Sequence, residues 1–224
     1  MSRSSGTTNH VESRQASSAT DDAYDAIKSM IIGLKLRPGT TLIESELVQV
    51  LGIGRTPVRE ALGYLARDGL LHIYPRRAIV VAKLGVPEIQ QIFEMRIVLE
   101  PSAAGFAAGR ITRSELAGLV GLTDQLRVLR DQVNTAEFLT LDLRFHQQVA
   151  SISRNTYLRA CTDHILTFNL WLWNSYFAAH GTAGTDLFTH ERIVDAIAGH
   201  DGTAAMIAMR EHIILSKEQL LTGL

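Results

Sequence analysis

The sequence holds a single cysteine, Cys161. An intrachain disulfide is impossible, and a cysteine-based metal cluster is disfavoured. No apolar segment of the secretory type opens the chain, so a cytoplasmic protein is expected. Long hydrophobic runs are lacking too. The longest mostly apolar stretch, Ile165 to Phe177, is interrupted by Asn169 and Asn174 and is too short to cross a bilayer. A formal net charge of -1 excludes a polycation as a whole. No internal repeat of fixed period is present.

What the chain does have is 46% hydrophobic and 20% charged residues over 224 positions, enough for one large domain or two small ones. The charge is unevenly placed. Residues 55–83 carry six basic groups (Arg55, Arg59, Arg67, Arg76, Arg77 and Lys83) against Glu60 and Asp68, whereas residues 84–224 carry a net charge of -4. A basic island in a near-neutral chain points to a local anion or nucleic-acid surface.

Residues 1–20 are rich in Ser, Thr, Gly and other polar residues and read as a disordered tail. Helical spacing begins near Asp21, with Tyr24, Ile27, Ile31 and Leu34 on one face, and Arg37-Pro38-Gly39 is read as its stop. Glu44 to Leu51 is a short second helix with Leu47, Val48 and Leu51 inward. Gly52-Ile53-Gly54 breaks it. Thr56 and Pro57 suit an N-cap and first helical position, so a third helix is expected from there to about Asp68, stopped at Gly69. Two β-prone runs follow, Leu70 to Tyr74 and Ala78 to Ala82, joined by a Pro75-Arg76-Arg77 turn.

Residues 83–87 read as a linker, and everything beyond as about six helices, near 87–109, 112–132, 135–152, 155–179, 186–199 and 202–222. Thr112-Arg113-Ser114-Glu115 is a capping box. The fold expected is therefore mainly α: a winged helix-turn-helix over 21–83 and an all-helical bundle over 84–224.

In a helix-turn-helix the second helix enters the major groove and its N-terminal residues meet base edges. Here those residues are Arg55, Thr56 and Arg59. Arginine can donate two bonds to guanine, and a threonine hydroxyl can hold a phosphate. Arg76 and Arg77 sit at the wing tip, suited to a phosphate or the minor groove. The blander alternative is a structural helical hairpin with solvated arginines. A dinucleotide loop at Gly52-x-Gly54 lacks both the third glycine and the preceding strand.

The stretch from Leu51 through Gly-Ile-Gly-Arg-Thr-Pro-Val-Arg-Glu-Ala to Leu62, followed by Leu65 and Asp68-Gly-Leu-Leu71, resembles the GntR family of bacterial regulators. Pro38-Gly39 and Leu42 to Leu47 fit as well. In this resemblance Ser45 stands where arginine is frequent and bases can be touched. Gly54 stands where serine is usual, and Ala78 replaces a common glycine of the wing.

A second constellation lies downstream. Asp142 and His146 are four apart on one predicted helix and share a face with Phe138, Phe145 and Val149. An acid and an imidazole beside an apolar stripe must be paired or metal-bound. His190 precedes Ile193, Val194 and Ile197 at helical spacing, and His212 follows Ala205, Ala208 and Met209 likewise. One inward histidine is usually a core residue. Three with an aspartate favour a divalent metal, and zinc, nickel, manganese and iron all suit such a set.

Asp142-Leu-Arg-Phe-His146, Thr189-His190-Glu-Arg-Ile193 and Arg210-Glu-His212 resemble the all-helical FCD ligand-sensing domain of the FadR branch. The resemblance implies metal ligation by Asp142, His146, His190 and His212. Phe93-Glu-Met-Arg96 with Leu99-Glu100-Pro101 resembles that domain's first helix, and six helices favour a VanR-like subgroup. His10, His72, His164, His180 and His200 have no such match and are assigned to surface or packing.

Arg96 lies on the face of Ile89, Ile92, Phe93 and Ala103. It could grip an effector carboxylate or pair with Glu100, and both remain open.

A metal-dependent hydrolase or lyase is the rival class, since a metal held by Asp142 and three histidines could activate water. No further acid is placed as a general base, and a DNA-binding head would be unexplained. An architectural DNA-binding protein without an effector would have no need of inward metal ligands. The expectation is a non-enzymatic, homodimeric transcription regulator, a repressor in the first instance. It would bind a palindromic double-stranded operator under control of a small carboxylate held near a divalent metal.

Overall fold

The computed structural model describes residues 18–131, 135–181 and 190–222. Most of the expected tail lies outside the described residues. The first helix, α1 (Ala19–Ile32), begins inside the segment read as tail. Its start is set locally: the Asp21 amide donates to Ser18 Oγ and the Ser18 amide to Asp21 Oδ2, a reciprocal cap. It also ends early. Leu34, expected on the helical face of Ile27 and Ile31, lies beyond the helix with φ of 61°. The Pro38-Gly39 stop is therefore not the helix end.

Chain contacts divide the protein into two units, one of Met1–Lys28 and Thr41–Val80, the other of Ser29–Thr40 and Val81–Leu224. The first contains α2 (Glu44–Leu51), α3 (Arg55–Arg67) and a small antiparallel sheet. Its strands are β1 (Thr41–Leu42), β2 (Leu71–Tyr74) and β3 (Ala78–Val81), in the order β1-β3-β2, with Thr41 opposite Val80. The two-residue β1 was not expected.

Val58, Ala61, Leu62 and Leu65 bury one face of α3, at the 3–4 residue spacing of an amphipathic helix. On α2 only Leu47 is buried, while Val48 and Leu51 are half-buried. Gly52 ends α2 with φ of 66° and donates its amide to the Val48 carbonyl, a left-handed cap that glycine adopts without steric cost.

The third helix does not begin at the expected Thr56 N-cap. The third helix starts at Arg55 with Gly54 as N-cap, so Thr56 is inside the helix and Pro57 is its third residue. Proline is tolerated there because the first amides of a helix have no intrahelical acceptor.

The second unit holds six helices among the described residues: α4 (Val86–Ala108), α5 (Arg113–Asp131), α6 (Thr135–Ile152), α7 (Thr156–His180), α8 (Glu191–Ala198) and α9 (Gly202–Thr222). Residues 186–190, expected within the fifth of these helices, precede α8, and 186–189 lie outside the described residues. Helix α4 is central, packing on α6, α7, α8 and α9. Its buried side chains include Ile89, Ile92 and Phe93, then Ala103, Ala104, Ala107 and Ala108. Small residues let α9 come close. A Cβ on Gly202 would lie 3.1 Å from the Gly105 carbonyl oxygen, and one on Gly105 would lie 2.7 Å from Met206 Cγ.

The capping box forms as expected: the Thr112 amide donates to Glu115 Oε2 at 2.9 Å and the Glu115 amide to Thr112 Oγ1 at 3.3 Å. Asn155 caps α7 by accepting from the Leu158 amide. Thr112→Ala is expected to lower the unfolding free energy by about 1 kcal/mol. Urea unfolding followed by circular dichroism checks this, and an unchanged midpoint would show that the box contributes nothing.

Candidate metal centre and nucleic-acid interface

In the first unit, Ser45, Arg55, Thr56, Arg59, Arg76 and Arg77 are all exposed. Arg76, at the wing tip, has φ of 59°, which turns the chain tightly between β2 and β3. Arg59 is not free in solution. Its Nε donates to Glu44 Oε2 at 3.0 Å and its Nη2 to Glu44 Oε1 at 2.9 Å, a two-point fork. Arg55 Nε lies 3.7 Å from the same carboxylate. Glu44 was not singled out by sequence reasoning. The available signal was an acidic first turn on α2 facing a basic first turn on α3 across a tight turn. The fork presets the Arg59 guanidinium, and any acceptor on DNA must compete with it.

In the second unit, Asp142 and His146 come from successive turns of α6, His190 stands at the N-cap of α8, and His212 comes from the middle of α9. All four are buried, and one donor atom from each lies within 4.8 Å of all the others. His190 Nε2 is 2.9 Å from Asp142 Oδ1, and His146 Nε2 is 3.7 Å from the same oxygen. Despite these distances, Asp142 Oδ1, both ring nitrogens of His146 and His190 Nε2 make no hydrogen bond of acceptable geometry. Buried polar atoms without partners are costly. Three of them converging on one point, each a good ligand for a divalent cation, fit a shared ion better than mutual pairing. Of the motif around His190, Thr189 lies outside the described residues.

Arg96 is also buried, at 1% exposure. Its Nε donates to Glu100 Oε1 at 2.5 Å and its Nη1 to Asn169 Oδ1 at 2.7 Å. The internal pair with Glu100 therefore forms. Glu100 does more than accept from Arg96, since its Oε2 abuts His146 Nδ1. Sequence reasoning found Glu100 only as a partner for Arg96, and missed Asn169. Helical spacing could not join α4 and α7 to a histidine on α6.

These contacts set the charge states. Burial alone would raise the Glu100 carboxyl, but Arg96 and His146 outweigh it and hold it at about 2. Burial of Asp142 is likewise outweighed, by His146 and His190, and its carboxyl stays well below the usual range. Burial would lower His146, yet Glu100 and Asp142 on either side raise it to about 9. Burial dominates at His190 and His212, and both are lowered, His212 strongly.

Residues 91–215 match the FCD domain family, and residues 19–81 match the gntR family of bacterial regulatory proteins. The HTH-type transcriptional regulator YdhC of Bacillus subtilis is 25% identical over 192 residues, covering 85% of this chain and 84% of that protein. The HTH-type transcriptional repressor RspR of Escherichia coli is 27% identical over 199 residues, covering 85% and 83%. Among solved structures, McbR/YncC of E. coli superposes with a TM-score of 0.81 at 22% identity, over 92% of this chain and 99% of that one. No helix among the described residues is long and apolar enough to cross a membrane.

Without metal, the protein is expected to be most stable near the ordinary histidine pKa of 6.5. His146 holds its proton more tightly when folded, so its contribution is complete below 6.5, declines as pH rises and is gone above about 9. His190 and His212 act oppositely. The unfolded chain takes up their protons first, so stability falls as pH drops below 6.5. Glu100 adds a further acid loss, from its ordinary 4.5 down to about 2. Urea midpoints of chelator-treated protein across the range check this, and a midpoint still rising at pH 9 would contradict it.

Proposed function

We propose a function from one premise: the chain belongs to the GntR family of bacterial regulatory proteins and carries an FCD domain. It is a DNA-binding transcriptional regulator, and its families and relatives are regulators, not enzymes. Residues 19–83 form the DNA-binding domain and 84–224 the effector-binding and dimerisation domain. Ser45, Arg55, Thr56, Arg59, Arg76 and Arg77 meet DNA. The protein works in the cytoplasm as a homodimer, because one recognition helix covers too few base pairs for a genomic address. Two related by a two-fold axis read a palindrome with half-sites about 34 Å apart. Occupancy of such an operator represses transcription, as the relative RspR is named to do.

Asp142, His146, His190 and His212 hold one divalent ion, zinc, nickel, manganese or iron. The observation that carries this reading is the convergence of four buried ligand residues, three of whose donor atoms lack a hydrogen bond. When bound, the ion supplies Lewis acidity that attracts an anionic oxygen. The effector is accordingly a small carboxylate. Arg96 has N–H donors beyond those given to Glu100 and Asn169, and one of them takes the effector's second oxygen. The effector alters DNA affinity only through its preference between two arrangements of the dimer, a coupling of about 1–3 kcal/mol.

Two measurements test this. Arg59→Ala should cost roughly 1–3 kcal/mol of operator affinity and relax preference at one position, while Arg76→Ala should weaken binding to all sequences and flatten its salt dependence. If neither alters DNA binding, the interface is misassigned. Zinc-loaded protein on a selected operator fragment should respond to one member of a carboxylic-acid panel by a shift of about 1–3 kcal/mol. That response should vanish on chelation. A response that survives chelation would separate the effector from the metal.

A further inference from the structure

The carboxylate of Glu100 bridges two elements. Oε1 accepts from Arg96 Nε at 2.5 Å, one turn back on α4. Oε2 accepts only a long bond from Arg96 Nη2, 3.5 Å, and lies in close contact with His146 Nδ1 on α6. The fork is uneven, unlike that of Arg59 with Glu44, whose two bonds are 3.0 and 2.9 Å. Arg96 in turn reaches α7, where its Nη1 donates to Asn169 Oδ1. Every member is buried: Arg96 1%, Glu100 2%, His146 1% and Asn169 4% exposed. Water cannot replace a partner, so each side chain is held by the next.

We propose that Glu100 is the residue that positions His146 for the metal, with Arg96 and Asn169 holding Glu100 in place. This rests on the metal-centre reading above. A histidine ligand must present one nitrogen lone pair to the ion, and the other nitrogen's hydrogen bond selects which. With Glu100 Oε2 in close contact with it, Nδ1 is the nitrogen suited to carry the proton, and Nε2 faces Asp142, 3.7 Å away. The negative charge of Glu100 also makes the imidazole a better donor. Arg96 offsets that charge, which lets the carboxylate stay ionised inside the bundle. The strut gives α7, which supplies no ligand itself, a direct line to the occupancy of the centre.

The test is zinc affinity of the full-length protein, measured by competition with a chelating indicator, for wild type and Glu100→Gln. Gln can still accept from one neighbour but loses the charge and the second acceptor. Zinc binding is expected to weaken about 10–100-fold. If Glu100→Gln melts lower without metal but binds zinc as tightly as wild type, Glu100 is only Arg96's partner and the proposal is overturned. Should the variant not fold, the wild type decides. Nitrogen-15 NMR of its zinc-loaded imidazoles should show His146 ligated through Nε2 with a proton on Nδ1. Ligation through Nδ1, or an Nδ1 without a proton, overturns the proposal while leaving the centre intact. Wild type that takes up no stoichiometric zinc removes the centre itself, and the strut with it.

Discussion

The ion network at the middle of the helical unit constrains everything around it. Arg96, Glu100, Asp142 and His146 are charged or readily charged, and each is nearly inaccessible. Removing such groups from water costs several kcal/mol apiece unless every one meets a partner in good geometry. An apolar core tolerates some sliding of helices, because dispersion contacts are many and interchangeable. A buried carboxylate shared between an arginine and an imidazole does not. The network therefore holds α4, α6 and α7 to one relative placement, and the candidate ligand set adds α8 and α9.

The apolar residues are arranged to permit that placement. Alanines crowd the second half of α4, and the Gly105–Gly202 crossing brings α9 close, with His212 beside Asp142, His146 and His190. Helix α4 also runs through Pro101, next to Glu100, at the loss of one backbone hydrogen bond. Phe145 lies edge-on to His146 and 4.5 Å from the His190 ring, closing the centre with an aromatic wall. Exclusion of water strengthens each electrostatic contact inside.

The DNA-binding unit is organised differently. Its charges are on the surface, and its local geometry comes from short-range signals: a glycine cap on α2, a proline in the first turn of α3, a tight turn at Arg76. Hydrogen bonds from Thr20 to Glu60 and from Tyr24 to Asp68 join α1 to α3 and its end, and the Glu44–Arg59 fork joins α2 to α3. Exposed pairs of that kind add little stability. Here its consequence is orientation of the side chain proposed to read a base.

The sequence by itself determined the helical bundle, the winged head and the candidate ligands. Each rests on a local code: the 3.6-residue period, turn chemistry, and the i, i+4 spacing that puts Asp142 and His146 on one face. The same codes misplaced the start of α1 and of α3. Capping at Ser18 is a weak pattern, and Pro57 suits any position of a first turn, not only the first. They also missed β1, since two residues carry no periodicity and pair only because β3 lies alongside. What tertiary structure alone decided is which buried groups share partners. Glu100 could be paired with Arg96 by spacing, but its second oxygen, Asn169 on α7 and Glu44 beneath Arg59 involve contacts between helices. Such contacts depend on helix crossing and rotation, and those follow from packing across the whole core rather than from any segment's own pattern.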